Sequence, residues 1–289
     1  MGQILVSSLL ISALYALISI GFTLVFGVAR VFNLAHGAFL MVGAYAAYLV
    51  NGLLGWHIYP AAAVAVAFTA LFAALAYWGF IRYFIFHPIV TVMATLALSL
   101  FLEQFFIVIP PIGSSPHHLD PFLEGATTLL GTQVLKDHLL GFLVSWSCCL
   151  ALFFFIRRSR PGKAILATAQ DRTGAALVGI KPERVYFLTF TISGALAAVA
   201  GVFFSSWTSL VPSIWREPMI ISFAIVILGG LGSILGSLVA AYLVGFLETW
   251  TIYTPALGPS WVGLPSLILL LAVLLLRPQG LFGVRRGAE

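Results

Sequence analysis

Charge is what this sequence lacks. Fourteen basic and nine acidic residues make up 8% of its 289 positions, whereas a soluble domain carries about 25%. So few charges could not coat a surface of this size in water, which excludes an ordinary soluble fold. Cysteine is nearly absent as well. Cys148 and Cys149 stand side by side in an apolar stretch, which rules out a disulfide framework and leaves them as small packing residues. Strand alternation is missing, which argues against a membrane barrel. The first apolar block lacks a leading basic region and outruns the roughly 7–15 apolar residues of a signal sequence, so it is read as a span. The net charge of +5 does not point to nucleic acid, because membrane topology accounts for most of the basic residues.

What remains is apolar. Hydrophobic residues make up 61% of the chain, mean hydropathy is +1.10, and the apolar residues come in blocks such as Ile4–Phe26 and Ala61–Ile81. About 20 helical residues cross a hydrocarbon core roughly 30 Å thick. Helices satisfy their backbone N–H and C=O groups within the segment, as that medium requires. The pattern predicts an all-α, polytopic membrane bundle of about 8–9 spans, with broken or re-entrant helices, as a single transmembrane domain over residues 1–289. The spans fall at 3–28, 37–53, 60–82, 89–109, 139–156, 185–206, 218–230, 232–251 and 263–276. The seventh is too short to cross alone and reads as tilted, broken or partly re-entrant.

Orientation follows from the loops. The 157–184 segment holds Arg157, Arg158, Arg160, Lys163, Arg172, Lys181 and Arg184 against Asp171 and Glu183, which marks it as cytoplasmic. Nine spans then place the N-terminus outside and the C-terminal Arg277, Arg285 and Arg286 inside. The 110–138 segment falls outside and reads as an irregular loop, with Pro110–Pro111 and Gly113-Ser-Ser-Pro116. Trp56, Tyr59, Trp207, Trp215, Tyr253 and Trp261 fall at outer span ends, where amphipathic rings favour the interface.

Two segments interrupt the apolar pattern in similar ways: Arg30-Val-Phe-Asn-Leu-Ala-His-Gly37 and Gly229-Gly-Leu-Gly-Ser-Ile-Leu-Gly236. Broken helices offer free backbone groups to a substrate where they line a cavity. On that reading Asn33, His36, Gly37, Gly229, Gly230, Gly232 and Ser233 border a substrate pathway. The plainer alternative makes each break a tight turn, His36 a hydrogen-bonded packing residue, and Gly232 and Gly236 a small-residue contact surface. Glu103 and Glu248 lie within spans, where carboxylates pair, line a cavity or act in transport. The alternatives are a helix–helix hydrogen bond for Glu103 and snorkelling for Glu248.

From Pro161 to Ile180 the cytoplasmic loop is Ala-rich and helix-forming, and it ends at Gly179 ahead of Lys181–Pro182. A compact helix with small side chains suits a groove on a partner protein; the alternative is a solvated surface helix. Gly162–Lys163 is no phosphate loop, because Arg157 and Ala164 stand where Gly and Ser/Thr are required. The chain is therefore expected to bind no cofactor and to catalyse nothing itself.

Three motifs in order carry a family resemblance: Phe32-Asn-Leu-Ala-His-Gly37, Ala167-x-Ala-x-Asp171-x-x-x-Ala175-x-x-x-Gly179-Ile180 and Leu228-Gly-Gly-Leu-Gly-Ser233. With the Arg277-Pro-Gln-Gly280 tail they resemble the branched-chain amino-acid ABC permease family, and more closely its smaller permease subunit. The resemblance implies inward transport of branched-chain or other hydrophobic amino acids across the cell inner (plasma) membrane. It implies four kinds of partner: a second homologous permease, two cytoplasmic ATPase subunits that hold ATP and Mg, an external substrate-binding protein and the lipid bilayer. Residues 163–180 resemble the family's ATPase-coupling segment, which puts Ala167, Ala169, Asp171, Ala175 and Gly179 at that contact. Many members carry Glu after the first motif where this chain has Ala38, and this departure keeps urea, short amides and aromatic acids open as cargo. The rival class is an ion-coupled secondary transporter that uses Glu103, Glu248 and His36. An intramembrane enzyme finds no paired acids or nucleophile–base motif, and the adjacent His117–His118 make a poor metal site.

Overall fold

The computed structural model describes residues 2–109, 112–254, 258, 261–277 and 279–283. Among them the chain forms eleven α-helices: α1 (Gly2–Ala29), α2 (Ala35–Tyr48), α3 (Ile58–Gly79), α4 (Pro88–Val108), α5 (Lys136–Arg158), α6 (Arg160–Gln170), α7 (Arg172–Leu177), α8 (Pro182–Phe204), α9 (Arg216–Gly229), α10 (Ile234–Tyr253) and α11 (Leu264–Leu276). Six of these, α1, α3, α4, α5, α8 and α10, are long and apolar enough to cross a membrane. The chain is thus a polytopic helical bundle, as the composition requires. The other apolar helices are shorter. α2 and α9 have 14 residues each and α11 has 13, about 20 Å of helix against a core of about 30 Å. A π-helical segment, Leu49–Leu53, extends α2.

α1 is the central mast. Its apolar window is 89% buried, against 28% for α4 and 22% for α5 on the periphery. The other helices pack around it in two matching halves. α1 lies against α10 as α8 lies against α3, α2 against α3 as α9 against α10, and α2 against α8 as α9 against α1. Residue contacts fix the directions. On α1 and α10, Ser12 meets Gly245 and Thr23 Oγ1 meets Ser237 Oγ at 2.6 Å, so the two run antiparallel. On α3 and α8, Ala73 meets Gly194 and Tyr77 meets Phe190, again antiparallel. This is the inverted-repeat arrangement that many membrane transporters share.

One end of the bundle gathers the end of α1, α6, the α9–α10 turn and the tail. Arg30 Nη2 donates to the Ala169 carbonyl at 3.4 Å, Gly27 abuts Gly232, and the Leu281 N–H donates to the Leu228 carbonyl at 2.8 Å. The opposite end holds one departure from the sequence reading. Within the segment read as an irregular loop, Ala126–Leu129 and Thr132–Leu135 form an antiparallel hairpin (β1 and β2). Its two-residue turn, Leu130–Gly131, takes φ of 49° and 78°, the left-handed pair that matches strand twist. Pro110 and Pro111 lie outside the described residues.

Candidate translocation site and coupling segment

Three short helices, α2, α9 and α11, have N-termini that are served in different ways. After α1 the chain turns at Arg30, whose φ is +56°, and runs back along α1 as an unwound segment. Phe32 stacks beside Phe26 and Phe22, with ring centroids 4.6 and 6.2 Å apart. α2 therefore starts where His36 Nε2 reaches the Ile18 carbonyl at 2.9 Å, about 16 Å up the α1 axis from Ala29. Because a carbonyl only accepts, Nε2 carries the proton there. In the neutral ring Nδ1 then accepts from Ser193 Oγ, at 2.9 Å. Both nitrogens of His36 are thus occupied by the chain's own groups.

The unwound backbone borrows partners from α4. The Leu34 N–H donates to Thr95 Oγ1 at 3.1 Å, and its carbonyl accepts from Ser99 Oγ at 3.1 Å. Asn33 has no such help. It is fully buried, and neither its amide oxygen nor its amide nitrogen has a hydrogen-bond partner. α2 also lacks a side-chain N-cap; the His36 N–H donates back to the Asn33 carbonyl at 3.2 Å, and the positive end of the helix dipole faces the same interior. Phe26, Phe32 and Phe223 form a half-buried aromatic patch alongside, with Phe32 and Phe223 at 5.1 Å. Gly37, one turn on, packs against α9: a Cβ there would sit 2.9 Å from Met219 Cβ and 3.0 Å from the Trp215 ring.

The N-termini of α9 and α11 are served by carboxylates. Glu103, on α4, accepts from Trp215 Nε1 at 2.8 Å and from Arg216 Nε and Nη2 at 3.0 and 2.7 Å. The Glu103 side chain is 5% exposed and that of Arg216 55%. Trp215 is therefore a buried donor, unlike the interfacial ring the sequence suggested. Glu248, on α10, accepts from Ser266 Oγ at 2.6 Å and from the Gly263 N–H at 3.1 Å, at the start of α11. It is 2% exposed, so it is internally bonded where snorkelling would carry it to the interface. Both acids stabilise the positive ends of short helices, and each has partners from this chain.

The second sequence break is built differently. Gly230 and Gly232 take φ of +102° and +87°, a path that only glycine follows without strain. A Cβ on Gly229 would collide with Gly236 backbone, so α9 and α10 meet main chain to main chain. Ser233 caps α10 by accepting from the Gly236 N–H at 3.1 Å. The last carbonyls of α9, at Leu228 and Gly229, accept from the N–H groups of Leu281 and Phe282 at 2.8 and 3.1 Å. Gly229, Gly230, Gly232 and Ser233 thus form a closed turn under the tail, at the end of the bundle away from Asn33.

The Ala-rich segment is two helices, α6 and α7, where the sequence suggested one. Asp171 leaves the helical conformation and caps α7, its carboxylate accepting from the Thr173 N–H at 2.9 Å. Ala175 is 4% exposed and packs on its own chain. Ala167 and Ala169 are half-buried, and Gly179, at φ +89°, turns the chain towards α8. Sequence reasoning missed the most exposed apolar residues here, Leu177 and Val178, at 85% and 77%. Their signal was two large aliphatics at the end of an otherwise small-residue helix beside a run of basic residues.

An inverted bundle with short helices that begin in its interior is the architecture of a membrane transport protein. The chain belongs to the family described as the branched-chain amino acid transport system permease component, which it matches over residues 4–274. It is 30% identical to the high-affinity branched-chain amino acid transport system permease protein LivH of Escherichia coli K12, over 93% of this chain and 91% of the relative. It is also 30% identical to the corresponding protein BraD of Pseudomonas aeruginosa, over 97% and 95%. A probable LivH of Methanocaldococcus jannaschii is 28% identical over 98% and 92%. No solved structure matches the chain.

Proposed function

We propose that this chain is the translocation subunit of a binding-protein-dependent ABC importer and moves branched-chain or similar hydrophobic amino acids inward. The observation that carries this reading is the unequal service of the interior helix starts. α9 and α11 receive the carboxylates of Glu103 and Glu248, while α2 has only the neutral, unpartnered Asn33. An amino acid brings the missing carboxylate, which the positive end of α2 and the Asn33 amide would receive. Its apolar side chain would rest on the Phe26, Phe32 and Phe223 patch. His36 and Gly37 border this place; Glu103 holds α9 against it.

In this reading the chain crosses the membrane nine times, with α2, α9 and α11 as the short crossings. The N-terminus is outside, and the basic 157–184 loop and the tail are cytoplasmic. The chain holds neither ATP nor Mg; two cytoplasmic ATPase subunits supply hydrolysis, a second homologous permease completes the pathway, and an external binding protein delivers cargo. Leu177 and Val178 support the ATPase contact, because large apolar residues exposed outside the bilayer mark a partner surface. Engagement of both Glu103 and Glu248 with the chain's own groups weighs against an ion-coupled mechanism that would use them. The test is co-expression of the assembled transporter with Leu177→Glu/Val178→Glu. ATPase recovery on the permease and ATP-driven leucine uptake are both expected to fall while permease abundance in the membrane holds. Undiminished recovery and uptake would refute the coupling assignment.

A further inference from the structure

At the end of α3 a cavity of about 620 Å³ opens between the α3–α4 connection and the start of α8. That is within the range of small-molecule sites, yet it lies far along the chain from the interior helix starts. Its walls are Trp78, Arg82, Tyr83, Phe86, Arg184 and Phe187, with Glu183 as the one acid. An adjoining cavity shares Glu183 and Arg184 and adds Arg172 and Lys181. Four cations therefore surround one carboxylate. Among the described residues the only ion pair closer than 4.0 Å is Arg216–Glu103, so none of these four is neutralised by a contact.

The guanidinium groups are held in place without an acid. Arg82 lies 4.7 Å from the ring centres of both Trp78 and Tyr83, and Nη2 donates to Tyr83 Oη at 2.7 Å. Arg172 lies 4.3 Å from Phe86 and 5.7 Å from Tyr186. Stacking uses the face of a guanidinium and leaves its in-plane N–H groups free, the edge that grips a phosphate.

The order of residues is the same on both walls. Trp78 precedes Arg82 at the end of α3, and Phe187 follows Arg184 at the start of α8, so on each side the ring lies about one turn further into the bundle than the cation. Above Trp78 an exposed apolar stripe runs up α3 through Leu75, Leu71 and Phe68, which are 54%, 59% and 51% exposed. From Phe68 to Trp78 the stripe is about 15 Å long, half the hydrocarbon thickness of about 30 Å. A basic pocket that opens onto a one-leaflet apolar track has the shape of a phospholipid.

We propose that this cavity is a binding site for an anionic glycerophospholipid of the inner leaflet. Arg82 and Arg184 take its phosphate, with Arg172 and Lys181 near the polar head. Trp78 and Phe187 pack on the glycerol region, and an acyl chain lies along Phe68, Leu71 and Leu75. The site is separate from the translocation site; it rests on the proposed orientation only in assigning the leaflet.

The experiment is retention of phosphatidylglycerol against phosphatidylcholine by the assembled transporter, counted by native mass spectrometry through graded delipidation. The intact complex is expected to keep phosphatidylglycerol at least about tenfold better, and Arg82→Gln/Arg184→Gln to erase the preference. Soluble glycerol phosphate is expected not to compete. Equal retention of the two lipids by the unaltered complex would overturn the proposal, whatever the variant does. So would competition by glycerol phosphate, which would make this a free-anion site. Loss of the second permease or the ATPase from the variant, with its lipid preference intact, would make the surface a protein contact and overturn it too. ATPase recovery is read in the same spectra, so failure of the lipid site is distinguishable from failure of the coupling assignment.

Discussion

The starts of α2 and α9 hold matching places in the two halves of the bundle, and their chemistry is opposite. At α9 a buried carboxylate, an indole N–H and a guanidinium satisfy one another. At α2 the corresponding position holds a neutral amide that satisfies nothing. A buried amide left without a partner costs about 1–3 kcal/mol, and Asn33 carries that cost at both of its amide atoms. The contrast separates a strut from a socket. α9 is fixed by its own chain, whereas α2 is the start that the proposed cargo would complete.

The comparison can be broken at several points, and the largest effect is expected where backbone meets backbone. Gly229→Val places side-chain atoms inside Gly236. It is expected to cost about 3 kcal/mol and to abolish complex yield in detergent, with little lost on translation into the membrane. Glu103→Gln leaves Arg216 and Trp215 without their anion. A broken buried pair costs about 3–5 kcal/mol, but Arg216 is half-exposed and water compensates, so about 2 kcal/mol is expected in thermal unfolding of the complex. Ser193→Ala removes one partner of His36 and is expected to cost about 1 kcal/mol. Thr23→Ala, which severs the Thr23–Ser237 bond between α1 and α10, is expected to cost about 0.6 kcal/mol. A Ser193→Ala loss larger than that of Glu103→Gln would mean that the strut is at α2, and the contrast would fail.

Much of the bundle was legible in sequence because long apolar helices announce themselves. The span 3–28 is α1, and the short apolar segment at 218–230 falls on the short helix α9. Ser233 and Asp171 act as N-caps, a role the sequence reading did not assign them although both are residue types that favour it. The breaks Asn33–Gly37 and Gly229–Ser233 share glycine and polarity in sequence, while their backbones are built differently. The structural counterpart of the first break is the chain before Arg216, which has no glycine signature at all. Trp215 was placed at an interface because it falls at an outer span end; only the approach of Glu103, 112 residues away, makes it a buried donor. Exposure at Leu177 and Val178 was missed although the two stand out locally, as large aliphatics at the end of a small-residue helix.

The most direct test of the socket at α2 compares Asn33→Asp with Asn33→Ala in the assembled transporter, measuring ATP-driven leucine uptake and thermal unfolding on the same preparations. Asn33→Asp supplies from within the carboxylate that the cargo is proposed to bring, as Glu103 does at α9. Uptake is expected to fall at least about tenfold while stability stays at or above that of the unaltered chain, since the charge meets the positive end of a helix. Asn33→Ala is expected to lower uptake with no loss of stability, because it removes an amide that bonds to nothing. Full uptake by Asn33→Asp, or a loss of stability in Asn33→Ala that matches its loss of uptake, would contradict the assignment.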